Sequence, residues 1–210
     1  MKFKPLFIAF LLSLSFVAIS CGPNDSEEAL EEVDQKKIIY NSQPPYYPID
    51  FEEAGFGATW TWTVFENGAN PDVQIVNNPD PSGLNTSEKV LEFTALTSGA
   101  PYAGFESKHG TDIGSFTFDE TNKIVKMLVY KSNISDVGLK FSEANGEAQV
   151  EVKVANTKIN EWEELVFDMS NLIGKGITGK IDQLIVFPDF KNRSKNNVVY
   201  LDNITFNDVK

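Results

Sequence analysis

The feature that most constrains this chain is a succession of short apolar runs between Lys123 and Ser170. They read KIVKMLVYK, DVGLKF, AQVEVKV and EWEELVFDM, each closed by Asn, Gly, Ser or Asp. Runs of β-branched and aromatic residues between turn formers predict consecutive β-strands. A period of two then assigns the faces, because successive side chains of a strand point to opposite sides of a sheet. Val137, Leu139 and Phe141 fall on one face, with Gly138 and Lys140 opposite. Val150, Val152 and Val154 fall on one face, with Glu151 and Lys153 opposite. The segment therefore predicts a meander in the middle of an antiparallel β-domain, one face to a core and one to water.

The flanks continue the pattern. Thr59–Phe65, Val73–Val76, Lys89–Leu96, Tyr102–Glu106, Ser115–Phe118, Ile181–Phe187 and Val198–Phe206 read as further strands. Asn67–Asn85 is a polar passage with Asn-Gly, Asn-Pro, Asp-Pro and Ser-Gly turn signals, and Ser170–Ile173 has room for one helical turn. About ten to twelve strands without an amphipathic helix or a repeat predict an all-β sandwich or barrel.

The 210 residues suffice for one domain and an N-terminal segment. The formal net charge is −12, and removal of a leader holding Lys2 and Lys4 makes the remainder more negative by two. That balance argues against nucleic acid and anionic membrane surfaces, which bind Lys and Arg. It also weakens the case for a strongly anionic polysaccharide. One cysteine, Cys21, forbids an internal disulfide; with a single histidine, His109, it also removes the usual zinc ligand sets.

Met1–Cys21 has two lysines, an apolar run from Leu6 to Ile19 and small residues at its end. It reads as a secretory signal peptide, the run being short for a bilayer span of about 20 residues. Ala18-Ile19-Ser20-Cys21 resembles a bacterial lipobox, which implies lipidation of Cys21. The acidic Gly22–Asp34 resembles the tract that sends lipoproteins of Bacteroidetes-type bacteria to the outer face of the outer membrane. The expected organisation is a leader over 1–21, a flexible acidic and Pro-containing linker over 22–48, and a β-domain over 49–210.

Phe51-Glu52, Trp60, Lys89-Val90 and the closing Tyr200-Leu201-Asp202-Asn203-Ile204-Thr205-Phe206 resemble carbohydrate-binding modules of the galactose-binding-like jelly-roll type. Pro101–Gly104, Val129–Ser132, Asn156–Glu164 and Phe187–Phe190 look like a module of Bacteroidetes polysaccharide-utilisation lipoproteins. That module often accompanies glycoside hydrolase family 16 domains. The resemblance covers about Ile49 to Asn207. It implies a jelly-roll sandwich that binds a polysaccharide without catalysis, a β-1,3-glucan such as laminarin first. Glycoside hydrolases and glycan transporters are the implied partners. It also implies a structural calcium, held by Glu52 and Asp202 on neighbouring first and last strands. Calcium takes six to eight oxygens, so these two need help.

Aromatic faces stack on sugar C–H faces while polar neighbours take the hydroxyls. Tyr102, at a Gly-Ala-Pro turn, is the candidate expected at an exposed loop edge. Trp60 shares a face with Trp62 and Val64 and reads as core before platform. Trp162, between Glu161 and Glu163, fits either role, and Tyr130 is a further aromatic. Lys108 and His109 in a Gly-containing loop, Lys131, and the Asp189–Arg193 pair are the polar candidates. An exposed histidine and a surface ion pair are the plain alternatives.

Two other functions stay open. With 30 acids some catalytic pair can always be drawn, and Glu161, Glu163 and Glu164 are the most tempting for a polysaccharide hydrolase or lyase. Their alternation about Trp162 is, however, an ordinary half-exposed strand pattern. No nucleophile triad or phosphate loop is recognisable. The remaining alternative is a structural or adhesive surface protein.

Overall fold

The computed structural model describes residues 48–175 and 180–206. The leader over 1–21 with Cys21, and the linker as far as residue 47, lie outside the described residues. Among the described residues ten strands form: β1 Thr63–Phe65, β2 Gln74–Asn77, β3 Lys89–Ala95, β4 Gly104–Glu106, β5 Ile124–Lys131, β6 Asp136–Glu143, β7 Val152–Ala155, β8 Trp162–Asp168, β9 Ile181–Phe190 and β10 Asn197–Phe206. They make two five-stranded antiparallel sheets, ordered β1-β4-β9-β6-β7 and β2-β3-β10-β5-β8. The fold is thus an all-β sandwich.

The alternation fixes the core. Val137, Leu139 and Phe141 are fully buried, and Phe105, Leu184 and Val186 join them from the same sheet. Leu91, Phe93, Val125, Met127, Val129, Phe167, Val199 and Leu201 face them from the other sheet. Burying such side chains contributes roughly 1.5–3 kcal/mol each.

The meander is corrected by the structure. β5 pairs with β8 and β10, whereas β6 pairs with β7 and β9. Only β6 and β7 are a hairpin of the four; the chain crosses between sheets after β5 and after β7. Periodicity assigns a strand's faces but not its neighbours, and both sheets present the same apolar face to one core. Val150 is a second correction. It is 68% exposed and precedes β7, so only Val152 and Val154 pack on the core. The expected strand at Thr59–Phe65 shortens to β1, and Ser115–Phe118 contributes a single bridge, Phe116 to Ile181. The helical turn forms at Ser170–Leu172.

The N-terminal segment closes onto the last strand, with Ile49 and Ile204 exchanging N–H···O bonds of 2.9 and 3.1 Å. Asp50 Oδ1 accepts the Phe56 and Glu52 amides at 3.0 and 3.3 Å, closing the loop that follows. Gly57 ends it at φ +99°, where a Cβ would come within 2.7–2.8 Å of Ile49 and Phe51.

Candidate functional site

The two outer faces of the sandwich differ. Outward from β2-β3-β10-β5-β8, Val90, Leu128 and Trp162 form a second buried cluster, with Val76, Tyr130 and Tyr200 packed on it. The β2–β3 loop is pinned over this face. Trp162 Nε1 donates to Asn78 Oδ1 and to the Asp80 carbonyl, both at 3.1 Å. Asn85 Nδ2 donates to Asp202 Oδ2 at 2.8 Å. Trp162 is therefore 4% exposed and serves as a post for a loop, which corrects its candidacy as a sugar platform. Tyr130 meets the rings of Trp162 and Tyr200 edge-on, at centroid distances of 5.6 and 5.9 Å. The tempting acid Glu163 accepts the Thr157 and Lys158 amides at 2.7 and 2.9 Å, capping the β7–β8 loop.

Lys131, Asp189 and Arg193 do come together, but inside the protein. The side chains of Lys131 and Asp189 are fully buried and that of Arg193 is 2% exposed. Asp189 accepts from Asn197 Nδ2 at 2.8 Å, Asn133 Nδ2 at 3.0 Å, Arg193 Nε at 3.3 Å and the Ser135 hydroxyl. Lys131 Nζ donates to Ser135 Oγ at 2.6 Å and Pro188 O at 2.9 Å. Arg193 donates to the carbonyls of Leu96 and Ala100 at 2.9 and 2.8 Å. Burial depresses the Lys131 ammonium to about 8, against the opposing pull of Asp189. Burial raises the Asp189 carboxyl, but the bonds from Asn197, Ser135 and Asn133 and the charge of Lys131 outweigh it, leaving it below its ordinary value. The group is a structural clasp for three loops, so the expected ligand contacts of Lys131 and Asp189 are corrected. No periodicity marks it, because its members are brought together from the ends of β5, β9 and β10 and the loops beside them.

The other outer face, that of β1-β4-β9-β6-β7, carries a different set. Across it Thr63 pairs with Glu106, Glu106 with Ile185, and Ile185 with Lys140. In the next row Phe65 pairs with Gly104, Phe187 with Gly138, and Gly138 with Lys153. The glycines leave room for the rings. A Cβ on Gly104 would lie 2.9 Å from Phe65 and closer still to the Val186 carbonyl; one on Gly138 would lie 3.1 Å from Phe187. Phe187 then meets Phe65 edge-on at 5.7 Å and Phe190 at 5.5 Å, with Lys153 Nζ 4.1 Å from the Phe190 ring centre. Phe65 and Phe190 are half-buried, and Phe187 forms the floor between them. Tyr102, 48% exposed, stands two residues before β4 at the loop end.

At the opposite end of this face lie Lys108 and His109. His109 Nδ1 is 2.6 Å from Asp182 Oδ1, its side chain 38% exposed. Lys108 is exposed, its amide held by Asp112 Oδ2 at 2.8 Å. Burial raises the Glu106 carboxyl, partly offset by the charge of His109. Gln183 donates to the Ser107 carbonyl at 3.0 Å and accepts from Ser142 at 2.6 Å, closing the row. Trp60, half-buried, packs on the main core with its ring 5.5 Å from that of Trp62. Phe65, Phe187, Phe190 and Glu106 were missed as candidates. The pairing Phe65–Gly104 and the Gly138–Phe187 neighbour relation, which single them out, exist only across strands.

Glu52 and Asp202 each accept hydrogen bonds from the protein itself. Glu52 Oε1 accepts the Glu88 and Lys89 amides at 2.7 and 3.1 Å, and sits in a loop, not on a strand. Asp202 is fully buried and bonded to Asn85 and the Asn203 amide. Burial raises it to about 6, with Asp50 adding to the effect against its hydrogen bonds. Among the described residues no three His, Cys, Asp or Glu side chains are grouped to hold a metal.

No protein-family model matches the chain, and no curated protein matches it by sequence. In fold it is similar to part of a protein solved as an exo-β-agarase, with a TM-score of 0.51 and 8% identity over 76% of this chain and 25% of that one. It thus spans about a quarter of that protein's length, and the likeness is one of fold alone. Lower scores link it to two solved carbohydrate-binding modules. A CBM61 module in complex with β-1,4-galactotriose gives 0.42 at 16% identity, over 75% of this chain and 97% of that one. A CBM28 module specific for non-crystalline cellulose gives 0.46 at 12% identity, over 70% and 87%.

Proposed function

We propose that the chain binds a polysaccharide non-catalytically on the outer face of β1-β4-β9-β6-β7. The observation that carries this reading is the row of rings Phe65, Phe187 and Phe190 beside Glu106, Lys140 and Lys153. An apolar floor with aromatic walls takes the C–H face of a pyranose, and the charged row supplies donors and acceptors for its hydroxyls. Tyr102 extends the platform at the loop end, and His109 and Lys108 border the other end. A neutral β-1,3-glucan of the laminarin kind is the first ligand, by the sequence resemblance. Lipidation at Cys21 would anchor the protein at the outer membrane, facing out. Glycoside hydrolases and transporters there would share its glycan, with tethering raising effective concentration rather than intrinsic affinity.

Native affinity electrophoresis of the full chain in neutral detergent, through gels holding laminarin, mixed-linkage glucan or xylan, tests the reading. Retardation by a neutral glycan, weakened in Tyr102→Ala, supports it; mobility unaffected by all three sinks it. One observation favours a second reading, a hydrolase: the raised Glu106 carboxyl has the direction a general acid needs. Release of reducing ends from laminarin, lost in Glu106→Gln, would establish that reading instead.

A further inference from the structure

We infer that the loop end of the sandwich holds a second carbohydrate subsite, one that recognises an anionic group, a uronate carboxylate or a sulfate ester, on an acidic glycan. A cleft of about 500 Å³ opens there, lined by Asn133, Lys191, Asn192, Arg193, Ser194, Lys195 and Asn197. No acid lines it, on a chain whose net charge is −12. The β9–β10 loop places three cations in the sequence Lys191-Asn192-Arg193-Ser194-Lys195. Arg193 is neutralised by Asp189 beneath the cleft. Lys191 and Lys195 are exposed and make no ion pair with any described residue; Lys191 Nζ only touches the Ile134 carbonyl, at 3.2 Å. Two uncompensated ammonium groups beside asparagine and serine donors fit an oxyanion flanked by hydroxyls.

Asn133, at the wall of the cleft, is itself held in place, its Nδ2 donating to Asp189 Oδ1 at 3.0 Å. The cleft is also preformed. Asp189, Asn197 and the Arg193 bonds to Leu96 and Ala100 tie the β9–β10 loop to its neighbours, so little ordering cost opposes binding. Exposed Ile134 stands on the adjoining β5–β6 loop of this end and offers apolar contact to a sugar ring. The Lys131–Asp189–Arg193 clasp thus has a use beyond stability: it holds the loop that carries the two free lysines.

This subsite is separate from the ring-lined sheet face, and the two can fail independently. The test is affinity electrophoresis of the full chain in neutral detergent through gels containing polygalacturonate or alginate for carboxylates, dextran sulfate for sulfates, and laminarin as the neutral arm. The expected result is retardation by a carboxylate or a sulfate polymer that falls about tenfold in Lys191→Gln/Lys195→Gln. Lys89→Gln/Lys123→Gln, with the same charge change at the other end, should bind that polymer like wild type. Which acidic arm retards the protein names the anion. Any laminarin retardation should be unaltered by the Lys191/Lys195 pair. Wild-type mobility unchanged by every acidic polymer overturns the inference, as does equal weakening by both double variants, which would mark mere net-charge attraction.

Discussion

Trp162 donates its indole N–H to Asn78 Oδ1 across 3.1 Å, joining the edge strand β8 to a loop that starts 84 residues earlier. That bond decides which face of the sandwich is covered. With Asp80 O as a second acceptor, it holds the β2–β3 loop over Val90 and Leu128 and leaves the sheet containing β9 to present the rings.

Replacing Trp162 by Phe keeps most of the apolar contact and removes the donor. Asn78 Oδ1 and the Asp80 carbonyl each keep one other donor, the Asp80 and Ser82 amides, so the cost is that of two hydrogen bonds, about 1–2 kcal/mol. Urea denaturation should show that loss, while laminarin affinity stays at the wild-type value. A drop in affinity at unchanged stability would return Trp162 to the ligand site.

Tyr102 should behave in the opposite way. Its ring is 48% exposed and outside both buried clusters. Tyr102→Ala should lower glycan affinity about three- to tenfold and shift the thermal midpoint by no more than about 1 °C. Unchanged affinity in a titration would remove Tyr102 from the binding surface.

Lys131 makes stability depend on alkaline pH. Its folded value, about 8, lies below the ordinary 10.5, so between these the unfolded chain binds more protons than the folded one. Stability contributed through Lys131 therefore rises as pH climbs through that window, and below it the full cost of burying the charge is felt. Relative to Lys131→Met, wild type should gain on the order of 1–3 kcal/mol from pH 8 to 10.5. Parallel denaturation curves for the two proteins across that range would contradict the assignment. Asp189→Ala, which strands Lys131 and Arg193 without their carboxylate, should cost about 3–5 kcal/mol at neutral pH.

Calcium offers a fourth check. Because amide donors occupy Glu52 and Asp202, adding calcium or EDTA should move the thermal midpoint by less than about 1 °C. A rise of several degrees with calcium alone would show that these carboxylates exchange their N–H partners for a cation.

Much of the fold is legible in the chain itself. Val137, Leu139 and Phe141 announce their buried face because strand period and burial coincide. The strands at Lys89, Ile124, Asp136, Trp162 and Asn197 start within a residue or two of where their β-branched runs begin. The exposure of Tyr102 follows from its turn. Less of the site is readable. Glu163 reads as a free acid until the β7–β8 loop folds back on it, and Arg193 reads as exposed until Leu96 and Ala100 arrive from 97 and 93 residues away.

By itself, then, the sequence determined the β-class, the apolar face of each strand and the acidic balance, since these depend on residue type and local spacing. Only the tertiary structure decided that β5 and β6 part into opposite sheets, that Trp162 is roofed, and that Lys131 and Asp189 are interior. It also brought Phe65, Phe187 and Phe190 onto one face. Each of these is a relation between segments distant along the chain. Strand pairing and loop docking are chosen by the fit of the whole core, which no single stretch encodes.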